Sequence, residues 1–388
     1  MATKRIQSAC NPVFRAPAAR LLMLLSAFFC LAGYHCFAFS IIDRNAEAEN
    51  SEISDEQPLT AQIRMEVLPV GDDCFDHLIQ MANASGFDAR DQIWFIDARQ
   101  SHFSDIQCLN IYRVANQLLV KQELADLIED HQSDTSRVTV AYVHGDRTDE
   151  FYAQYRGVQV YQNLFANDCG ARPPVRFIIW SWKSEKEILR PGKDFRVKST
   201  RSRCVGQSFA LFLNRFPDQR ILLTGYSLGC QVFLEAMQEP EILQRKSADD
   251  SAGYRLALIA PAMDGDFLSS IKFGNSVCPP IQETHIFDNS RDRILKLARF
   301  HSRRTSPNAG SSIPGLLKNG NLGYRNVFWY DLANSVGPYH AINNYTKVPL
   351  VRKTMQELAN SLQMEFRAGF EQPPEPVADS LSSIPTAE

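Results

Sequence analysis

A serine hydroxyl is a weak nucleophile until a neighbouring base removes its proton, and that base must be held in one tautomer by an acid. The sequence supplies one residue of each kind in a workable order: Ser227, Asp292 and His340. Ser227 lies in Gly225-Tyr226-Ser227-Leu228-Gly229, directly after the apolar run Ile221 to Thr224 and directly before a segment of helical spacing. A serine bracketed between a buried strand and a helix is expected on a strained turn that lifts its hydroxyl above a sheet. Gly225 and Gly229 then leave room for adjacent backbone. Such a hydroxyl adds to a carbonyl, and the charge developing on the carbonyl oxygen needs two N–H groups aimed at it beforehand. Leu228, at the positive end of the following helix, is one expected donor. Gly145 or Asp146, in the turn His144-Gly145-Asp146 after the run Val138 to Val143, is the other, and His144 reads as the organiser of that turn.

The base and the acid are chosen against competitors. Beyond Asp292 stand His301 and His340. His301 falls in the basic stretch Arg299 to Arg304, which reads as a solvated helix face, whereas His340 follows the run Val327 to Leu332. For the acid, Asp292 in the turn DNSRDRIL ranks ahead of Asp264 in PAMDGD, an alternative position one strand earlier, and Asp288, which could instead cap its turn, comes last. The bland counterparts are a strand-to-helix turn with an incidental serine and a histidine on a surface loop.

Such residues need a sheet and helices to hold them. Apolar runs rich in Ile, Val, Phe and Trp alternate with segments of helical spacing, the pattern of a mostly parallel sheet covered on both faces. Eight strands are expected, at 92–98, 109–114, 138–143, 175–182, 220–224, 255–260, 284–288 and 327–332. The first two lack a crossover helix between them and so predict an antiparallel edge. Val205, Phe209, Phe212 and Phe216 mark a helix over 203–216 that ends at Pro217. Val232, Phe233, Ala236 and Met237 mark another that stops at Pro240, and Val351, Met355, Leu358 and Leu362 mark a closing one. Trp180 and Trp182 either line a pocket or pack in the sheet. The Gly-, Ser- and Pro-rich stretch from Ser302 to Asn326 is either a lid, offering Leu316 and Leu317 to an apolar group, or a surface loop.

The ends differ from the middle. Residues 1–42 hold Lys4, Arg5, Arg15 and Arg20 ahead of the apolar run Leu21 to Phe39, which is read as a signal peptide or as an uncleaved membrane anchor. Either implies an extracytoplasmic place, exported or anchored at the cell envelope. Residues 43–58 form an acidic, disordered linker, 59–366 the catalytic domain and 367–388 a flexible tail. A net charge of −3 in 388 residues gives no basic excess, so nucleic acid is not an expected partner and a small or lipidic substrate is. The nine cysteines form no ligand cluster, and no phosphate-binding glycine loop occurs, so neither metal nor organic cofactor is implied. A Cys74–Cys108 bridge and free buried cysteines are both open readings.

The chain resembles the bacterial α/β-hydrolases grouped as an uncharacterised family of unknown function, over about Arg137 to Leu362. The resemblance rests on Tyr142-Val143-His144-Gly145, Ile179-Trp180-Ser181-Trp182, the Gly225–Gly229 elbow, Ala260-Pro261-Ala262-Met263-Asp264, Asp288-Asn289-Ser290-Arg291-Asp292 and the late His340. It implies the α/β-hydrolase fold and the order of the three reactive residues, without a substrate. The expected activity is ester or acyl hydrolysis through an acyl-Ser227 intermediate. A catalytically idle binding domain at the membrane and a serine peptidase stand as alternatives.

Overall fold

The structure, a computed structural model, describes residues 87–100, 106–115, 118–166, 172–216, 220–243, 253–263, 281–296 and 327–371. The chain divides into Met1–Val67 and Leu68–Glu388, and everything described belongs to the second unit. The expected leader and linker, the stretch from Ser302 to Asn326, Asp264, His301 and Cys74 all lie outside the described residues.

Strands and helices follow in the order β1 (Gln92–Asp97), β2 (Asn110–Ala115), β3 (Leu118–Gln122), α1 (Leu124–Ser133), β4 (Val138–Val143), α2 (Glu150–Tyr161), β5 (Val175–Ser181), α3 (Pro191–Leu213), β6 (Ile221–Tyr226), α4 (Leu228–Ala236), α5 (Pro240–Leu243), β7 (Tyr254–Ile259), β8 (Ile281–Asp288), β9 (Val327–Asp331), α6 (Ala333–Val336), α7 (Ile342–Thr346) and α8 (Pro349–Glu371). The described strands form one sheet of nine, ordered β3-β2-β1-β5-β4-β6-β7-β8-β9. All pairs from β1–β5 through β8–β9 are parallel, and β1–β2 and β2–β3 are antiparallel. Central strands β4 to β7 are buried at every position, as continuous apolar runs covered on both faces must be.

Nine strands replace the expected eight, and the additional one is β3. Its sequence LLVKQ runs without a break into the apolar spacing of α1, so the two together have the look of one amphipathic helix. Pairing with β2 from Ile111↔Gln122 to Ala115↔Leu118 overrides that local pattern. Helix α3 starts at Pro191, twelve residues before the expected Arg203, with proline at its first turn and Asp194 behind it. Polar residues such as Lys198 and Ser202 face inward along the added turns, so no apolar stripe marked them. Helix α4 is buried nearly all round instead of along one stripe, because α3 packs closely against it as the sheet does. A Cβ on Gly206 of α3 would stand 2.6 Å from the Glu235 Cβ of α4, which sets how closely the two helices meet. The closing helix α8 runs to Glu371, into the stretch from 367 read as a tail.

Trp180 and Trp182 are both fully buried. Trp180 packs on Phe209 and Phe212, with ring centroids 5.0 and 5.1 Å away, so α3 is fastened to β5 by aromatic contact, which is the packing role. Among the described residues no helix is long and apolar enough to cross a membrane.

Candidate active site

The strand β6 ends at Tyr226 and the helix α4 begins at Leu228, so Ser227 alone makes the turn. Its φ of 54° and ψ of −119° lie where a residue with a side chain is strained by roughly 1–3 kcal/mol. Neighbouring backbone holds it there: Ser227 N–H donates to the Ile259 carbonyl at 3.0 Å, and its own carbonyl accepts from Cys230 N–H at 3.1 Å and Ala262 N–H at 3.2 Å. Gly229 leaves room for the crossing chain, since a Cβ there would lie 2.2 Å from the Val143 carbonyl oxygen.

The structure brings Ser227, His340 and Asp292 together. His340 Nε2 lies 3.0 Å from Ser227 Oγ, and His340 Nδ1 lies 2.6 Å from Asp292 Oδ2. This geometry fits the tautomer in which Nδ1–H donates to the carboxylate and Nε2 faces the hydroxyl. Asp292 is fully buried and its lone pairs are well used. Oδ2 also accepts from the Tyr345 hydroxyl at 2.9 Å, while Oδ1 accepts the N–H groups of Ile294 at 2.9 Å and Leu295 at 3.1 Å. The loops bearing acid and base are laced together. Asn289 Nδ2 donates to the Gly337 carbonyl at 2.8 Å, and Asp331 Oδ2 accepts from the Ser290 hydroxyl at 2.8 Å. Tyr226, the variable residue of the serine motif, donates its hydroxyl to the His340 carbonyl and lays its ring 5.3 Å from the imidazole.

Asp288 does not cap the turn. It is buried, and neither carboxyl oxygen makes a hydrogen bond of ordinary geometry. Burial above all pushes its pKa up to about 6, aided by the nearby charges of Asp331 and Asp292 and opposed by the Asn289 N–H. The capping falls to Asn289 and Asp331, whose side chains accept from Arg291 N–H at 3.0 Å and Ala333 N–H at 3.0 Å.

Gly145 lies against the serine: a Cβ on it would stand 2.8 Å from Ser227 Cβ and 3.0 Å from the Tyr226 carbonyl oxygen. His144 is buried, and burial pushes its pKa down to about 3, so it is neutral. Its Nε2 accepts from Trp182 N–H at 3.2 Å, which leaves the proton on Nδ1, 3.0 Å from the Gly145 carbonyl. Ser184 Oγ also approaches that carbonyl at 2.9 Å. In a trans peptide the N–H points away from the carbonyl, so the Asp146 N–H is turned from His144 and Ser184. Trp182 completes the bracket by donating its Nε1–H to the His144 carbonyl at 2.8 Å. Leu228, first residue of α4, has an N–H with no acceptor inside its own helix.

Tyr226, Tyr345, Asn289 and Ser184 were not singled out by sequence. Tyr226 carried a signal through its place in the serine motif. Tyr345 had none beyond lying just after His340. Among the described residues no group of three or more His, Cys, Asp or Glu side chains could hold a metal ion.

Residues 120–306 match the family described as alpha/beta hydrolase of unknown function (DUF900). The span takes in Ser227 and Asp292 and stops before His340. No curated protein matches the chain. Solved structures with some likeness include an esterase B from Lactobacillus rhamnosis inhibited by a tributyrin phosphonate, 11% identical, with a TM-score of 0.40 over 78% of this chain and 100% of that one. Esterase Est22 with p-nitrophenol is 13% identical, with a TM-score of 0.37 over 74% of this chain and 87% of its own. A putative esterase from Staphylococcus aureus is 12% identical, with a TM-score of 0.30 over 58% of this chain and 75% of its own.

Proposed function

We propose that this chain, which over residues 120–306 is similar to a family described as alpha/beta hydrolase of unknown function, is a serine hydrolase cleaving carboxylic esters through an acyl-Ser227 intermediate. The observation that carries the reading is the continuous line from Ser227 Oγ through His340, at 3.0 and 2.6 Å, to Asp292. Ser227 Oγ attacks the ester carbonyl while His340 Nε2 takes the hydroxyl proton. Asp292, already an acceptor from Nδ1–H, stabilises the imidazolium that forms. The N–H groups of Leu228 and of Gly145 or Asp146 meet the oxygen on which charge develops. His340 then returns the proton to the leaving alcohol, and a water activated by the same imidazole releases the acid and restores Ser227.

The linked side chains argue against an idle binding domain, which has no need to keep a base within hydrogen-bonding distance of a strained serine. Ester over peptide is the choice the small-molecule reading of the sequence favours. The test is labelling with a fluorophosphonate probe, together with turnover of short p-nitrophenyl esters and of a peptide substrate. We expect wild-type protein to label and to cleave the esters alone, and Ser227→Ala to do neither. Equal labelling of Ser227→Ala would sink the assignment.

A further inference from the structure

Lys198 is a fully buried ammonium in the third turn of α3. Burying a charge is costly, so the side chain is expected to pair closely, and it does so twice: Nζ lies 2.7 Å from Asp194 Oδ2 and 2.9 Å from Asp146 Oδ1. Asp194, one helical turn back, is a complete partner. Its other oxygen accepts the N–H groups of Glu187 at 3.1 Å and Ile188 at 2.9 Å. Its own burial works most strongly against its charge, yet the bonds from Lys198, Ile188 and Glu187 hold its pKa below the usual carboxylate range. The buried lysine therefore does not need Asp146 for its own neutralisation.

Asp146 needs the lysine. It directly follows Gly145, whose backbone lies against Ser227, and its carboxylate also accepts from the Arg147 N–H at 2.8 Å, with Arg147 at a φ of 56°. A carboxylate one residue from an N–H that receives a developing negative charge opposes that charge across a medium of low dielectric. Arg147 also approaches Asp146, at 3.8 Å, but from the solvent side, where its charge is screened.

We propose that Lys198 is a positioning residue for the ester-cleaving reaction: it draws the Asp146 carboxylate toward α3 and neutralises it, so that the turn after β4 offers its N–H groups without an opposing charge. The inference rests on the acyl-Ser227 reading and adds to it a residue that touches neither substrate nor triad.

The experiment compares wild type, Lys198→Met and Lys198→Met/Asp146→Asn on p-nitrophenyl butyrate, with active sites counted by fluorophosphonate labelling. Lys198→Met is expected to lower kcat per active site by about 10- to 100-fold with KM changed less than about threefold. The double variant, having no carboxylate left to neutralise, is expected to recover most of that loss. A purely structural lysine predicts fewer folded molecules with normal kcat per site; that result, or a double variant no faster than Lys198→Met, overturns the proposal. If Lys198→Met does not fold, Lys198→Gln/Asp194→Asn, made with and without Asp146→Asn, removes the buried pair's charges at nearly constant volume and is held to the same two criteria. Wild type inert to both probe and ester overturns the hydrolase reading and this inference with it. Wild type active with Lys198 variants unaffected overturns the inference alone.

Discussion

In the proposed reaction, Asp292 depends on side chains that never meet a substrate. One of its oxygens serves both His340 and Tyr345, and the other is held by two backbone N–H groups. Removing the tyrosine hydroxyl leaves the carboxylate anchored but free to rotate about its remaining bonds, and with it the imidazole. Tyr345→Phe should therefore fold normally and lose roughly 3- to 30-fold in kcat, with KM little changed, in steady-state kinetics on a p-nitrophenyl ester. Unchanged kcat would show that the two backbone N–H groups alone suffice. At this scale the sequence was most informative where chemistry imposes spacing. Ser227 was marked by its glycines and Asp292 and His340 by their places after strands, whereas Tyr345 and Lys198 carry no motif. Lys198 in particular sits at four-residue spacing from Asp194, a pattern more often met on a solvated helix face.

Among the elements, the crossing of the β4 turn over the β6–α4 elbow is the tightest junction. Gly145 and Gly229 face each other's chains there, and an added methyl on either meets backbone or the Ser227 side chain at 2.8 Å or less. Gly145→Ala must push the turn away from Ser227, displacing the expected N–H donor. We expect kcat to fall about 10²- to 10³-fold while the midpoint of urea unfolding moves little, as read by kinetics and circular dichroism on one preparation. A large fall in stability with normal per-site kcat would place the role of Gly145 in packing alone. The strand-and-helix alternation made β4 to β7 readable because strands buried on both faces are long apolar runs. β3 was hidden because a short run, with Lys121 exposed, precedes a helix and shares its spacing, and the first turns of α3 were hidden because they bury Lys198, Ser199 and Ser202 instead of leucines.

For the whole molecule, the sheet order and the meeting of residues far apart in the chain were the least legible features. Nothing local says that β1 pairs with β5, or that residue 340 returns to residue 227. The global consequence of one buried group can be worked out. Asp288 has a native pKa of about 6 against an ordinary value of 3.8, so the native state holds its proton longer than the unfolded chain does. The stability this gives is fully present below about pH 3.8 and is lost as pH rises through about 6, amounting to at most about 3 kcal/mol at about 1.4 kcal/mol per unit. His144 acts in the opposite sense, since burial keeps it neutral and unfolding lets it take up a proton as pH falls from 6.5 toward 3. Comparing Asp288→Asn with wild type cancels the histidine contribution. The variant should melt roughly 3 to 10 °C above wild type at pH 8 and together with it near pH 4 in calorimetry. A constant offset across that range would remove Asp288 from the pH dependence.

The antiparallel pair β2–β3 forms one border of the described sheet, and the strands that carry acid and base form the other. Lys121 on β3 is exposed. A thiol introduced there as Lys121→Cys gives a point for immobilisation on a sensor surface or for coupling a dye, remote from Ser227 by the width of five strands, so the attached protein should keep whatever turnover the free one has.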